Sequence, residues 1–209
     1  MTMDANARTL SRAALLSGAA AAALALPIAS LAATPARAQH PDLARYLWLS
    51  RPETRDSIRA PFTLDGVHIY KKGYYELCVA FRDISVDPTI GYVQIDPRLI
   101  DALWEIQQYY FRNGVSRPIE IYSGFRTPAH NELVGGASRS FHPQARAVDF
   151  GIPGIPPKHT GAVALALPSW LVGGVGIYAD DDHVHIDTGP RAGRVWCNHD
   201  EHTCSAAEI

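Results

Sequence analysis

The chain has 209 residues, of which 47% are hydrophobic and 19% are charged, and its formal net charge is −2. This length suits one domain plus a leader, and the hydrophobic content is high enough to form a buried core. The nearly balanced charge gives no support to binding of nucleic acid or of an anionic membrane surface, both of which call for an excess of basic residues.

The first 38 residues have the pattern of an export signal. Arg8 and Arg12 precede an apolar, alanine-rich run over residues 13–33, and Ala36-Arg37-Ala38 fits the small-x-small pattern before a signal-peptidase cut. We therefore predict a signal peptide over residues 1–38, a periplasmic mature protein and no stable membrane span after cleavage. The run is also long enough for an uncleaved anchor. The export route stays open, because the arginine pattern fits either general secretion or a degenerate twin-arginine signal.

Residues 39–209 are predicted to form a single domain, which contains all three cysteines. In an oxidising compartment, Cys197 and Cys204 can form a disulfide and leave Cys78 as a buried thiol. The alternative is a second metal site, although the spacing matches no common zinc module. Its ligands would be Cys197, His199, His202 and Cys204.

The predicted elements form an α+β pattern. Residues 40–95 contain short strand-like runs such as 74–81. Asp96-Pro97 then begins a helix, as an N-cap followed by proline at the first helical position, and Asn113-Gly114 ends it. The later elements alternate quickly: a strand at 119–122, a helix at 129–134, a strand at 147–150, a helix at 162–167 and a hairpin of 173–178 with 183–187. This order predicts a small, mostly antiparallel sheet with flanking helices.

The first candidate metal-binding segment contains His142 and Asp149. Seven residues apart, they cannot bind one ion from a helix face in the i, i+4 manner, but a loop residue and a strand residue can converge on one ion. Side chains alternate along a strand, so Asp149 is predicted to point away from Val148 and Phe150. Those two residues can then pack in the core while the carboxylate faces a cleft.

The second segment covers residues 182–187. Its period of two places His183, His185 and Asp187 on one strand face, with apolar residues on the other. Two adjacent charged imidazoles would repel, and either a bound metal or neutral tautomers remove that cost. Asp187 is predicted to support a ligand rather than to bind the metal.

Two nitrogen ligands, one oxygen ligand and an open position form the set that a catalytic zinc ion needs. Such an ion lowers the pKa of its bound water to about 7. A carboxylate must accept the proton of the water, and hydrogen-bond donors must stabilise the oxyanion. Asp182 is the candidate base, and His183 and Arg126 are the candidate oxyanion stabilisers.

Several motifs carry a resemblance to a known family. A Ser-x-His-x-x-Gly-x-Ala-x-Asp pattern is met by Ser140, His142, Ala147 and Asp149, and a Ser-Gly-Tyr-Arg turn is similar to residues 123–126. Gly-Gly-Val-Gly-x-Tyr, His-x-Asp-Thr-Gly and Arg-x-Trp motifs occur at 173–178, 185–189 and 194–196. The chain resembles the zinc D-alanyl-D-alanine peptidases, which share a fold with lysostaphin-type peptidases and the hedgehog signalling domain. Within that group it is most similar to the murein endopeptidase K type.

This resemblance implies one Zn²⁺ ion, bound by His142, Asp149 and His185, in a catalytic core over about residues 95–196. It assigns Asp182 as the base, with His183 and Arg126 steadying the transition state. The implied enzyme is a murein D,D-endopeptidase that cuts the peptide part of bacterial peptidoglycan at crosslinks next to D-amino acids, and a monomer is expected. A D-Ala-D-Ala carboxypeptidase and a non-catalytic, zinc-stabilised cell-wall-binding module remain as alternatives. The retained base and oxyanion donors favour an enzyme.

One position departs from the family pattern. The glycine between the first two ligands is replaced by Ala145. If this position requires a positive φ, alanine adds strain of about 1 kcal/mol without removing a ligand.

Overall fold

The computed structural model describes residues 43–168, 170–190, 193–197 and 204. These residues belong to one compact unit, Arg37–Ile209. The signal-peptide prediction for residues 1–38 lies outside the described residues. Among the described helices, none has the length and apolar character needed to cross a membrane.

A seven-stranded sheet forms the centre of this unit. Its strands are β1 (Arg45–Arg51), β2 (Asp56–Thr63), β3 (Ile119–Ser123), β4 (Ala147–Gly151), β5 (Gly174–Tyr178), β6 (His183–Asp187) and β7 (Arg194–Cys197). Their order across the sheet is β2-β1-β3-β4-β6-β5-β7. The β1–β3 and β5–β7 pairs are parallel, and the other four pairs are antiparallel. The predicted α+β fold with a mostly antiparallel sheet is confirmed.

In the described part of the chain, five α-helices accompany the sheet: α1 (Lys71–Cys78), α2 (Pro88–Gly91), α3 (Pro97–Arg112), α4 (Pro128–Leu133) and α5 (Pro157–Leu165). The longest, α3, begins as its local sequence predicts, because the side chain of Asp96 accepts a hydrogen bond from the backbone N–H of Arg98 and Pro97 follows the cap. Asn113 is the C-cap of this helix, and the chain continues at Gly114 with φ +82°.

The hydrophobic core lies between one face of the sheet and the helices. Alternate residues of the central strands are fully buried there: Leu47, Leu49, Ile119, Ile121, Val148, Phe150, Val184 and Ile186. Each such side chain stabilises the fold by about 1.5–3 kcal/mol. Helix α5 approaches this face closely at Gly161, where a Cβ atom would lie 2.5 Å from the side chain of Ile177. The opposite face of β4 and β6 carries the polar residues.

Two element predictions are wrong. Residues 74–81 form helix α1 and a 3₁₀ turn at Val79–Phe81 rather than a strand. Tyrosine and valine favour strands, but Tyr74, Leu77 and Cys78 are buried on one helical face, and that burial outweighs the propensity. Helix α5 spans Pro157–Leu165 rather than 162–167, since a proline at its first position starts it earlier.

Candidate metal centre

The three predicted ligands lie on three neighbouring elements. His142 begins a 3₁₀ turn at His142–Gln144, and Asp149 and His185 lie in the middle of β4 and β6. Asp149 and His185 are direct cross-strand partners, so their side chains leave the same face of the sheet. Ala145 ends the turn with φ +56° and ψ +35°, so this position has the left-handed backbone that the missing glycine would favour.

The distances between the donor atoms fit a metal ion. His142 Nε2 lies 3.3 Å from His185 Nδ1 and 3.3 Å from Asp149 Oδ1. His185 Nδ1 lies 2.7 Å from the same Asp149 oxygen. Tetrahedral zinc with bonds of about 2.0–2.1 Å holds its ligand atoms about 3.3 Å apart, so two of the three edges already have the required length. The third edge has the length of a hydrogen bond, which an ion would replace.

The backbone determines which nitrogen of His142 faces this centre. Its Nδ1 lies 2.6 Å from the carbonyl oxygen of Gly124. Because a carbonyl oxygen can only accept, Nδ1 carries the proton and Nε2 presents its lone pair to the ion. The Gly124 carbonyl can lie here because Gly124 packs closely against the backbone of Phe81. A Cβ atom on residue 124 would lie 2.6 Å from the Phe81 carbonyl oxygen.

His185 uses its nitrogens in the opposite way. Nδ1 points toward Asp149, while Nε2 lies 3.6 Å from Oδ2 of Asp187. Asp187 is 1% exposed and accepts hydrogen bonds from the backbone N–H of Gly189 at 2.7 Å and from Arg194 at 2.6 Å. A buried carboxylate behind the distal nitrogen of a histidine ligand orients the ring and makes it more basic.

Two glycines of β5 let side chains of β7 reach β6. Gly174 pairs with both Arg194 and Asp187, and a Cβ atom there would lie 2.6 Å from the Asp187 carboxylate and 2.8 Å from the guanidinium. Gly176 pairs with Trp196 and His185 in the same way. The ring centroids of Trp196 and His185 are 5.3 Å apart. The Gly-x-Gly spacing of β5 therefore leaves room for the side chains that support His185 at the candidate metal centre.

The electrostatics of the centre favour a cation. Burial opposes the charged form of His185, but hydrogen bonds and charges of Asp149 and Asp187 outweigh it and raise its pKa to about 9. Burial likewise opposes the Asp149 carboxylate, yet the two imidazoles hold its pKa well below the usual range. Without metal, the site thus keeps a positive charge where an ion would bind, and metal binding must displace a proton.

Arg126 lies beside the three ligands. One terminal nitrogen donates to Oδ2 of Asp149 at 2.6 Å, and Nε donates to the hydroxyl of Ser123 at 2.7 Å. The guanidinium therefore holds the carboxylate oxygen that does not face the histidines. Its action on a substrate oxyanion stays a prediction.

Asp83 is a supporting residue that the sequence-based prediction missed. Its side chain is 2% exposed and accepts from the backbone N–H of Thr127, the neighbour of Arg126, at 2.8 Å and from Nδ1 of His130 at 3.0 Å. Burial opposes its charge, but these donors lower its pKa. The sequence around Asp83 does not predict its contacts with Thr127 and His130, because these two partners lie more than 40 residues later.

The two remaining predicted catalytic residues, His183 and Asp182, are not part of the ligand set. His183 is two residues before His185 on β6, and its ring stacks on Tyr178. Asp182 is exposed in the β5–β6 turn with φ +53°. Its role as a base stays a prediction.

The cysteines follow the first of the two predictions. Cys197 and Cys204 form a disulfide with a Cα–Cα distance of 5.2 Å, and Cys78 is a buried free thiol. The alternative second metal site is wrong, since the disulfide takes both of its sulfur ligands. His199 and His202 lie outside the described residues.

Comparison with known proteins identifies the family of the chain. The family model described as peptidoglycan L,D-endopeptidase MepK matches residues 39–196. The chain belongs to this family. It is 35% identical over 151 residues to peptidoglycan L,D-endopeptidase MepK of Escherichia coli K12 and of Shigella flexneri, covering 70% of this chain and 78% of each relative. It is 33% identical over 103 residues to the probable peptidoglycan L,D-endopeptidase MepK of Haemophilus influenzae, covering 46% of this chain and 52% of that protein. The resemblance to zinc peptidases of the murein endopeptidase K type is confirmed at the level of the family.

Proposed function

We propose that this chain is a zinc-dependent peptidoglycan endopeptidase. The observation that carries the proposal is the His142–Asp149–His185 set, whose donor atoms lie within 4.8 Å of one another in a member of an endopeptidase family. Its relatives are named for cleavage of L,D bonds. We therefore propose an L,D crosslink as the substrate, and a D,D crosslink becomes an alternative outcome of the test.

The residues around the ligands supply the other groups that peptide hydrolysis needs. A bound zinc ion would supply Lewis acidity and would lower the pKa of water toward 7. The carboxylate of Asp182 accepts a proton from the attacking water and passes it to the leaving amine. Arg126 and His183 donate hydrogen bonds to the carbonyl oxygen as negative charge develops on it. Asp187 and the Gly124 carbonyl keep the two imidazoles oriented throughout.

The proposed location follows from the substrate and the leader. We propose that residues 1–38 direct export, that residues 39–209 form the enzyme, and that it acts as a monomer in the periplasm. The disulfide between Cys197 and Cys204 supports an oxidising compartment.

Digestion of defined crosslinked muropeptides tests the function. Dimers joined through an L,D bond or through a D,D bond are incubated with zinc-loaded protein, with chelated protein and with His185→Ala, and products are identified by mass spectrometry. The matched control is His68→Ala, because the side chain of His68 is 71% exposed and pairs only locally with Asp65. Bound zinc is measured for each variant independently of activity.

We expect zinc-dependent loss of the L,D-linked dimer with wild type and His68→Ala, and neither zinc binding nor cleavage with His185→Ala. Cleavage of the D,D-linked dimer alone would overturn the proposed linkage. Release of only a terminal alanine would indicate a carboxypeptidase. Tight zinc binding with no change in any muropeptide would indicate a binding module.

A further inference from the structure

The His183 ring is stacked on a tyrosine that has no role in the proposed chemistry. The rings of His183 and Tyr178 are nearly parallel, at 13°, with centroids 4.4 Å apart. The two residues are direct cross-strand partners on β6 and β5. The plane of the tyrosine ring therefore limits rotation of the imidazole, which is partly exposed at the start of its strand.

Trp196 fixes the tyrosine in turn. Its indole Nε1 donates a hydrogen bond to the Tyr178 hydroxyl at 2.8 Å. The indole crosses over Gly176, where a Cβ atom would lie 2.5 Å from Nε1 and 2.8 Å from the Tyr178 ring. The other side of this arrangement touches the metal centre, since Trp196 also packs against the His185 ring.

The orientation of the His183 ring also has a backbone contact. Nδ1 lies 3.3 Å from the carbonyl oxygen of Asp181, so a backbone contact also restricts the ring. Burial raises the pKa of the Tyr178 phenol, and the hydrogen bond from Trp196 opposes that shift.

From these contacts we propose that Tyr178, anchored by Trp196, is a positioning residue that holds the His183 imidazole in the orientation needed to stabilise the substrate oxyanion. This inference rests on the proposed function. Its physical basis is that a donor aimed in advance costs no reorganisation during the reaction, whereas a freely rotating one does. The contact that matters is the ring face of Tyr178, and its hydroxyl serves to receive Trp196.

Two substitutions of one residue separate these parts. Tyr178→Leu removes the ring, while Tyr178→Phe keeps the ring and removes the hydroxyl that accepts from Trp196. With zinc-loaded full-length protein and the crosslinked dimer, we expect Tyr178→Leu to lower kcat by about 10-fold to 100-fold with KM changed by less than about twofold. Tyr178→Phe should retain activity within about threefold. Tyr109→Leu on α3, where the tyrosine is 48% exposed, is the matched control.

A double-mutant cycle with His183→Ala gives the decisive readout. If Tyr178 acts through His183, Tyr178→Leu should cost less than about twofold in the His183→Ala background. Bound zinc should stay at the wild-type level, because the three ligands are intact. A full additional loss in that background, loss of zinc, or equal damage by Tyr178→Phe would overturn the positioning role.

An NMR measurement separates this inference from the proposed function. In wild type and Tyr178→Phe, the carbon-bound ring protons of His183 should resonate upfield because they lie over an aromatic face. They should move downfield in Tyr178→Leu. If the wild-type protein cuts no dimer while these shifts appear, the stack exists and the proposed function fails. If the shifts are absent in an active wild-type enzyme, the positioning role fails alone.

Discussion

Ala145 shows how one backbone angle serves the first ligand. It has φ +56°, ends the turn that contains His142, and is 5% exposed. For a residue with a Cβ atom this conformation costs about 1–2 kcal/mol. The chain accepts that cost at the step between the ligand turn and β4, because any other angle would move His142 relative to Asp149.

Substitutions of Ala145 should separate strain from packing. Ala145→Gly relieves about 1–2 kcal/mol of strain. Two effects act in the opposite direction and destabilise the folded protein. Loss of the buried methyl group costs about 0.8 kcal/mol, and the greater conformational freedom of glycine in the unfolded chain costs about 0.4–1 kcal/mol. We expect the free energy of unfolding to change by less than about 1 kcal/mol, because these effects nearly cancel. Ala145→Val should lower it by about 2 kcal/mol or more, because a β-branched residue is strongly disfavoured there.

Urea unfolding of the zinc-loaded proteins checks this prediction. Bound zinc should be unchanged in Ala145→Gly and reduced in Ala145→Val. An Ala145→Gly variant that loses several kcal/mol would show that the methyl group, rather than the backbone angle, dominates at this position.

At the scale of elements, β7 acts as a support for the metal centre. It presents Arg194 to Asp187 and Trp196 to His185 across the glycines of β5. The disulfide between Cys197 and Cys204 begins at its last residue. Loss of this bond should therefore destabilise β7 and loosen its contacts with His185 and Asp187.

Reduction should lower the thermal stability of the zinc-loaded protein. The short loop between the two cysteines predicts a contribution of about 2–3 kcal/mol, which corresponds to about 5–10 °C in Tm for a protein of this size. Differential scanning calorimetry with and without a non-thiol phosphine reductant, which avoids chelation of zinc, measures this shift. The Cys197→Ser/Cys204→Ser double variant should match the reduced protein and ignore the reductant. A change in the Tm of the double variant when the reductant is added would contradict the Cys197–Cys204 disulfide as the target of the reductant.

At the scale of the whole molecule, stability and metal content are linked through His185. Its pKa in the metal-free protein is raised from 6.5 to about 9. A group with a raised folded-state pKa gives its full stabilisation below the unfolded value and loses it as the pH rises through the folded value. A bound zinc ion would take the place of this proton, so the stability of zinc-loaded protein would not depend on it.

We therefore expect the Tm of chelated protein to fall between pH 7 and about 9. The Tm of zinc-loaded protein should not fall over that range. Parallel scanning calorimetry of the two forms measures the difference, with His68→Ala as a variant that should behave like wild type. In His185→Ala, both the pH trend and the stabilisation by zinc should disappear. Equal pH trends in chelated and loaded wild type would contradict this linkage.

Local sequence by itself determined the parts of the protein that depend on local chemistry. The start of α3 follows from Asp96-Pro97, and the inward-facing Val148 and Phe150 follow from strand alternation. The same alternation places His185 on the opposite face from Val184 and Ile186. The motifs that carry the family resemblance predict the ligand set. These features were predictable because caps and the period of a strand act over a few residues.

Tertiary structure alone decided the features that join distant segments. Residues 74–81 became helical because burial against β2 outweighs a strand propensity of at most about 1 kcal/mol. The register that sets Asp149 beside His185, the Gly124 carbonyl behind His142 and the crossing of β5 by Trp196 each depend on strands or loops far apart in sequence. No local pattern encodes such contacts, because their free energy appears only when the whole sheet has formed.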